Sequence, residues 1–446
     1  IGIIRVSGAN AFISVECIFK PANSEKILHE QKGYTQLYGN IIDAKTNEDI
    51  DDAIVSIYHA PHSYTGEDSV EISCHGSSYI LQRVVELLIS SGCRMANPGE
   101  YTQRAFLNGK MDLAQAEAVA DIVASSSAAT HRLAVSQMRG HFSKEINDLR
   151  YQLLKFTSMI ELELDFSEED VEFASRTDLR DLAQNIDRIL AHLVNSFHLG
   201  NAIKNGVPVA IIGQTNAGKS TLLNYLVGEE RAIVSNIHGT TRDVIEDTIN
   251  IDGVLFRFID TAGIRHSTDD IEKLGIERSF QKLQQANIVL WIIDVTSQID
   301  KLNQLKNEIL PKCEGKNLII VFNKIDLIDD IKPIESVFAD VSAPNIGISA
   351  KSKINTDKLR ELLLKTARIP EISQSDVIVT NVRHYEALSK ALTAIKAVED
   401  GLKINISGDL LAEDLHSCLN ELGEITGTIT SSDVLNNIFK HFCIGK

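Results

Sequence analysis

The chain has 446 residues, enough for about three domains, and its 43% hydrophobic and 24% charged residues are the balance of an ordinary globular protein. A formal net charge of −17 argues against broad, sequence-independent nucleic-acid binding through a basic face. The cysteines at 17, 74, 93, 313, 418 and 443 include no Cys-x-x-Cys pair, which points away from a zinc site or disulfide framework and toward the reduced thiols of a cytoplasmic protein.

The chain opens at Ile1, inside a strand-like run, so part of the first strand is expected to precede it. Residues 1–112 are mixed. Strand patterns at 1–6, 53–58 and 69–74, helical spacing over 79–90, and Gly- and Pro-containing loops at 61–66 and 98–100 predict an α+β domain. From residue 113 the texture turns helical: 113–123 is rich in strong helix formers, and helical spacing continues to about 199 with almost no Gly or Pro. An acidic run at 165–172 reads as a solvated helix end, with a cation site as the minor alternative.

Between 206 and 370 strands alternate with helices. Short apolar strands at 207–212, 255–259, 288–293 and 318–322 predict a parallel, doubly wound, Ras-like α/β domain. Helices return over 381–402, over 409–422 and from Ser432, so 113–205 and 371–446 read as two parts of one helical domain with the α/β domain inserted. Motion in such an insert pulls on two chain connections at once. No signal-peptide pattern and no apolar run long enough to cross a bilayer is present, so no membrane partner is expected.

The most specific motif opens the insert. Gly213, Gly218, Lys219 and Ser220 form G-x-x-x-x-G-K-S between a strand and a helix, the context of a phosphate-binding loop. Its backbone N–H groups and the positive helix end suit phosphate. Lys219 is expected on the β/γ-phosphates and Ser220 on Mg²⁺. Asn216, Ala217 and Thr221 complete the loop's contacts. Next come Ser235, Asn236, Ile237, His238, Gly239, Thr240 and Thr241 at the distance of a first switch, with Thr241 completing the Mg²⁺ shell. Asp260, Thr261, Ala262 and Gly263 follow a strand as D-x-x-G: Asp260 holds Mg²⁺ through water and the Gly263 N–H senses the γ-phosphate. Asn323, Lys324 and Asp326 follow the next strand. The Asp326 carboxylate accepts from the N1–H and exocyclic amine of guanine, which adenine lacks, a polar match that discriminates by roughly 10⁴ or more. Ser349, Ala350 and Lys351 supply a backbone contact to the base oxygen. The Thr-Thr pair and D-x-x-G are weak alone; all five elements, in this order and after these strands, predict GTP/GDP with Mg²⁺.

The position where small switch GTPases carry a water-orienting Gln is Ile264, which cannot do that work. Arg265, Asp269, Asp270 and Glu272 are the nearby candidates, with Glu272 the best placed.

These motifs, the segment 260–275, the 98–110 stretch and the terminal Cys443-Ile444-Gly445-Lys446 together resemble the MnmE (also called TrmE) family of tRNA-modification GTPases over essentially the whole chain. The resemblance implies an N-terminal folate-binding domain. It implies a potassium-stimulated GTPase whose G domains meet across a homodimer, and a K⁺ held by residues matching Asn216, Ser235, Ile237 and Thr240. Glu272 matches the residue that orients the attacking water; Arg265 and Arg242 match arginines that order the switches. It further implies an aminomethyl-type group, carboxymethylaminomethyl or aminomethyl, installed at C5 of the wobble uridine of certain tRNAs. The implied partner is the FAD- and NADH-dependent MnmG (GidA), in a heterotetramer, with tRNA contacted mainly through it. The one-carbon unit comes from a tetrahydrofolate derivative, 5-formyl- or methylene-, contacted by Arg5, Glu71, Lys110 and Lys446. Arg and Lys suit folate carboxylates and a Glu suits the pterin N–H donors; without the resemblance none of the four stands out. Thr215 departs from the Pro common in the family's loop. Two readings stay open at this point: a GTPase that drives tRNA modification, and a pure switch or assembly factor that binds RNA.

Overall fold

The computed structural model describes residues 1–165, 176–229, 247–259, 283, 285–370, 376–429, 432–440 and 442. They form two compact units. The first comprises Ile1–Val123, Gln137–Ile186 and Lys390–Lys446; the second comprises Ala124–Ser136 and Asp187–Ser389.

The first unit opens with an antiparallel sheet of β1 (Gly2–Ser7), β2 (Phe19–Pro21), β3 (Thr35–Asp43), β4 (Glu48–Tyr58) and β5 (Ser69–Cys74), in the order β1-β5-β4-β3-β2. Alternation assigns its faces. Val6, Val70, Ile72, Val55, Ile57 and Leu37 are buried with Phe12 and Val15 of α1 (Ala11–Glu16) and Val84, Leu87 and Leu88 of α2 (Ser78–Ser90). The opposite face carries Ile3, Ile54 and Tyr38, linked across the strands by the pairs Ile3↔Ser73, Ser73↔Ile54 and Ile54↔Tyr38, and all three are exposed. The sequence patterns anticipated β1, β5 and the end of β4 but not β3. Gly39 interrupts its pattern, and the reason is close approach: a Cβ there would lie 2.1 Å from the Lys20 carbonyl oxygen of β2.

Helices complete the unit. α3 (Glu100–Leu107) and α4 (Leu113–Ala124) meet α14 (Ser432–Lys440) in a cluster of Leu113, Ala116, Phe106 and Phe439. α6 (His141–Asp165) buries Phe142, Ile146, Leu149, Leu153, Phe156 and Ile160, one apolar stripe at alternating spacings of three and four. It packs against α13 (Gly408–Thr426), which buries Leu411, Leu415, Leu422 and Ile425. Their close approach is set at Gly408, where a Cβ would lie 3.1 Å from Leu164.

The second unit is built on a six-stranded sheet of β6 (Val207–Gly213), β7 (Asp247–Ile251), β8 (Val254–Phe258), β9 (Ile288–Asp294), β10 (Asn317–Asn323) and β11 (Asn345–Ile348), in the order β11-β10-β9-β6-β8-β7 and parallel except for β7. Val209, Ile211, Leu290, Ile292 and Val321 face Leu222, Leu223 and Leu226 of α8 (Lys219–Glu229) and Leu359 and Leu363 of α11 (Thr356–Ala367). Trp291, Ile293, Ile320 and Phe322 face Leu302 of α9 (Ile299–Ile309) and Ile334 of α10 (Lys332–Val337). Helices on both faces account for the unbroken apolar runs of the central strands. The doubly wound expectation holds. α5 (Ala128–Met138), α7 (Arg176–Asn205) and α12 (Val382–Ile404) each contribute residues to both units.

A charged latch ties α3 into the first unit. Glu100, 7% exposed, accepts from Arg94 at 2.8 Å, from Arg104 at 2.7 Å and from the Asn97 backbone N–H at 2.8 Å. The Arg94 hydrogen bond leads in lowering its pKa; burial opposes, and Asn97 and Arg104 add to the lowering, from an ordinary 4.5 to about 2. A depressed carboxylate stabilises fully above its unfolded pKa and loses that contribution as pH falls through the folded one. The depression corresponds to about 3 kcal/mol. In urea unfolding of the full chain, Glu100→Gln is expected to cost up to about 3 kcal/mol at neutral pH. The gap to wild type should close as pH drops from 4.5 toward 2; a gap that is independent of pH would refute this account.

Candidate nucleotide site and a second polar centre

The loop between β6 and α8 is shaped by glycine where only glycine fits. Gly213 has φ +150 and a Cβ there would fall 2.3 Å from the Ile292 carbonyl oxygen. Gly218 has φ +96 and a Cβ would fall 2.1 Å from Asn323 Nδ2. Between them Asn216, exposed, adopts φ +65. Lys219, the first residue of α8, folds back so that Nζ donates to the carbonyls of Gly213 at 2.7 Å and Gln214 at 2.6 Å. Burial lowers its pKa. Ser220 stands beside it in the first turn, where the helix end favours anions.

Asn323, at the end of β10 and 2% exposed, joins this loop to the rest of the site. Its Nδ2 donates to the Ala217 carbonyl at 2.8 Å, and its Oδ1 accepts the Ala350 N–H at 3.0 Å. Its own carbonyl accepts the Val295 N–H at 3.1 Å. One residue therefore ties together the loops that follow β6, β9, β10 and β11. Lys324, in the left-handed region with φ +71, places Nζ 2.6 Å from Asp294. Burial pushes the Asp294 carboxyl up, but the bonds from Lys324 and from the Thr296 hydroxyl and N–H outweigh it and hold it below its ordinary value. Asp326 is held low chiefly by a hydrogen bond from the Ser349 side chain, against some desolvation, with Ser352 Oγ adding at 3.4 Å. Ser349 is fully buried, and its oxygen also accepts the Ser352 N–H at 3.1 Å. Thr356 donates to Tyr225 Oη at 3.1 Å, fastening α8 to the turn after Lys351.

The structure thus gathers the predicted Asn216, Ala217, Gly218, Lys219, Ser220 and Thr221 with Asn323, Lys324, Asp326, Ser349, Ala350 and Lys351 at one end of the sheet. Ser235, Asn236, Ile237, His238, Gly239, Thr240, Thr241, Asp260, Thr261, Ala262, Gly263, Arg265 and Glu272 lie outside the described residues, as do Cys443 and Lys446. Sequence reasoning missed Asp294 and the joining role of Asn323.

A second polar centre lies in the first unit, on the open sheet face. Arg5 and Glu71 pair across β1 and β5, with Nε and Nη2 at 2.8 and 2.7 Å from Glu71 Oε1. The Arg5 guanidinium lies 5.9 Å from the Tyr64 ring centre and 5.6 Å from that of Tyr101. Tyr101 donates to the Arg5 carbonyl at 2.6 Å, and Tyr58 donates to Glu71 at 3.4 Å. Lys110 reaches the Pro61 carbonyl at 2.9 Å, so it and Arg5 both touch the 60–67 loop. Arg104 bridges Glu67 and Glu100, and Asn108 donates to the Thr65 carbonyl at 2.8 Å. Tyr58, Tyr64, Tyr101 and the Arg104 network escaped sequence reasoning; the polar density of 98–110 was the one signal, and it bore on Tyr101 and Arg104 alone.

Asn323→Ala leaves the Ala217 carbonyl and the Ala350 N–H without their partner. The expected cost is about 1–3 kcal/mol in loop placement, seen by calorimetry as a roughly tenfold to hundredfold weaker GDP affinity with the far-ultraviolet spectrum of the folded chain retained. Wild-type affinity would remove Asn323 from its joining role.

A family model described as GTP-binding protein TrmE N-terminus matches residues 1–110, and one described as MnmE helical domain matches residues 113–443. The chain is similar to the tRNA modification GTPase MnmE of Bacteroides thetaiotaomicron, at 62% identity over 451 residues covering 100% of this chain and 97% of that protein. It is similar to the protein of the same name from Parabacteroides distasonis, at 56% identity over 447 residues with the same coverages. Matches of this extent, on a chain whose α/β unit carries the glycine loop and the buried amide that ties it to the loops after β9 and β11, place it: the chain belongs to the MnmE (TrmE) family of tRNA modification GTPases and is a GTP hydrolase.

Proposed function

We propose that the chain hydrolyses GTP to drive installation of an aminomethyl-type group at C5 of the wobble uridine of certain tRNAs. It works in the cytoplasm as a homodimer, with an FAD- and NADH-dependent partner of the MnmG (GidA) kind and a tetrahydrofolate-derived one-carbon unit. The observation that carries the nucleotide part is the junction at Asn323, which sets the phosphate loop and the base-reading loop in one frame. Among the described residues no helix is long and apolar enough to cross a membrane.

The residues fit their parts. Asp326 stays ionised far below neutral pH and so remains an acceptor for the two guanine N–H donors. With the Ala350 N–H committed to Asn323, the base oxygen falls to the next N–H, that of Lys351. Lys219 holds two loop carbonyls in a desolvated setting, where a phosphate oxygen is the stronger partner for an ammonium. Ser220 presents a hydroxyl in the first turn of α8, suited to Mg²⁺, with Thr241 as the proposed second ligand. Asn216, exposed and left-handed at the loop's tip, presents an amide oxygen suited to K⁺, with Ser235, Ile237 and Thr240 as the other proposed ligands. A K⁺ bound there supplies positive charge against that developing on phosphate oxygens. Glu272 orients the attacking water, and Arg265 orders the switch.

Arg5 and Glu71 fit a folate because each is partly accessible and lies beside aromatic rings: Arg5 suits its carboxylates, Glu71 its pterin N–H groups, and the exposed Tyr64 offers a ring face, while the buried Tyr101 holds Arg5 in place. Lys110, on the same loop system, and Lys446 complete the proposed contacts. The exposed Ile3, Ile54 and Tyr38 on that face support pairing with a second copy.

GTP turnover should run several-fold faster in K⁺ than in Na⁺, and Asn216→Ala should erase the difference; equal rates in both salts would sink the potassium assignment. Cells carrying Lys219→Ala should lose the modified wobble uridine in nucleoside analysis of their tRNA, and unchanged modification would refute the proposed role.

A further inference from the structure

Asn250, in β7, uses its side-chain amide at both ends. Oδ1 accepts the Gly253 N–H at 2.9 Å and closes the β7–β8 turn, where Asp252 and Gly253 take φ +46 and +85. Nδ2 donates to the Ser126 carbonyl at 3.3 Å. Ser126 immediately precedes the reciprocally capped start of α5. The Thr130 N–H donates to Ser127 Oγ at 3.1 Å and the Ser127 N–H donates to Thr130 Oγ1 at 3.0 Å, both side chains being buried. Ala128 faces the turn as well, its Cβ 3.9 Å from where a Cβ on Gly253 would sit.

The following turns of α5 pack elsewhere. Ala129 and Leu133 join Leu199 and Ile203 of α7, Ile369 and Ile378 in one cluster. There the two chain connections of the nucleotide domain cross. A Cβ on Gly200 would lie 2.0 Å from the Val379 carbonyl oxygen, and the Val379 N–H donates to Ser196 Oγ at 3.0 Å. Residues 124–136 accordingly belong to the second unit, while the helix ends at Gln137 and Met138, which belong to the first.

In sequence, β7 begins six residues after Thr241 and β8 ends two residues before Asp260, so this hairpin is the covalent link between the two switch segments. We propose that the N-terminal half of α5 is a strut that reads the hairpin's position and carries the nucleotide state into the helical part of the chain, with Asn250 as its positioning residue. The hairpin is short and closed by a tight turn, so a shift at its switch ends moves the turn as one piece. The Ser126 carbonyl and the capped helix start follow it, and the helix transmits the shift along its axis.

The proposal rests on the GTPase reading, and its test is hydrogen–deuterium exchange of the full chain with Mg²⁺ and either GDP or a non-hydrolysable GTP analogue. In wild type, peptides covering 125–136 should exchange differently in the two states. Asn250→Ala should lose that difference while nucleotide affinity and intrinsic GTP turnover stay at wild-type values. Asn250→Asp keeps the acceptor that closes the turn and removes the donor to Ser126, so it too should lose the difference. A difference that persists in either variant, or that is absent in wild type, overturns the strut. Calorimetry on the same samples separates this from failure of the underlying reading: a chain that binds neither nucleotide overturns both.

Discussion

The nucleotide site depends on one buried, neutral amide. Asn323 spends its donor on the phosphate loop and its acceptor on the turn at Ala350, and its backbone carbonyl holds the segment after β9. A buried amide with satisfied partners is favourable, and one left half-satisfied is costly, so the four loops are placed together or not at all. The same contact explains the second glycine of the loop, because any side chain at 218 would occupy the space of the Asn323 amide. What reads as a flexibility requirement is also a packing requirement.

The first unit solves a similar problem with charge. Glu100 sits between two arginines, and Arg104 continues to Glu67, so α3 and the 60–67 loop are fixed by ion pairs partly shielded from water. That shielding separates them from exposed pairs such as Lys403 with Asp400, which contribute little. The latch leaves Arg5, Glu71 and Lys110 at accessible positions on a rigid frame. A binding surface gains from such preorganisation, since less ordering remains to be done when a ligand arrives.

Legibility followed the range of the interactions. The loop at 213–220 and the run over β9 could be read because their causes are local: glycine geometry in the one, burial of both faces in the other. The joining role of Asn323 could not, since its partners lie 106 and 27 residues away. Arg5 and Glu71 are 66 residues apart and meet only through strand register, so they surfaced by resemblance alone. Within 98–110 the resemblance implied one ligand contact, Lys110. The structure occupies its neighbours Glu100, Tyr101, Thr102, Arg104 and Asn108 with internal bonds that no sequence pattern announced.

The crossing of Gly200 and Val379 has an architectural consequence. The entering and leaving chains touch there, so the 178 residues between them begin and end at one place, and little span needs bridging if they are removed. A short turn joining 199 to 380 would reseal the polypeptide without stretching it. Its removal would still strip partners from α5, whose Leu133 packs on Ile203 and Ile378 and whose start holds Asn250, so the ends invite excision and the flank resists it.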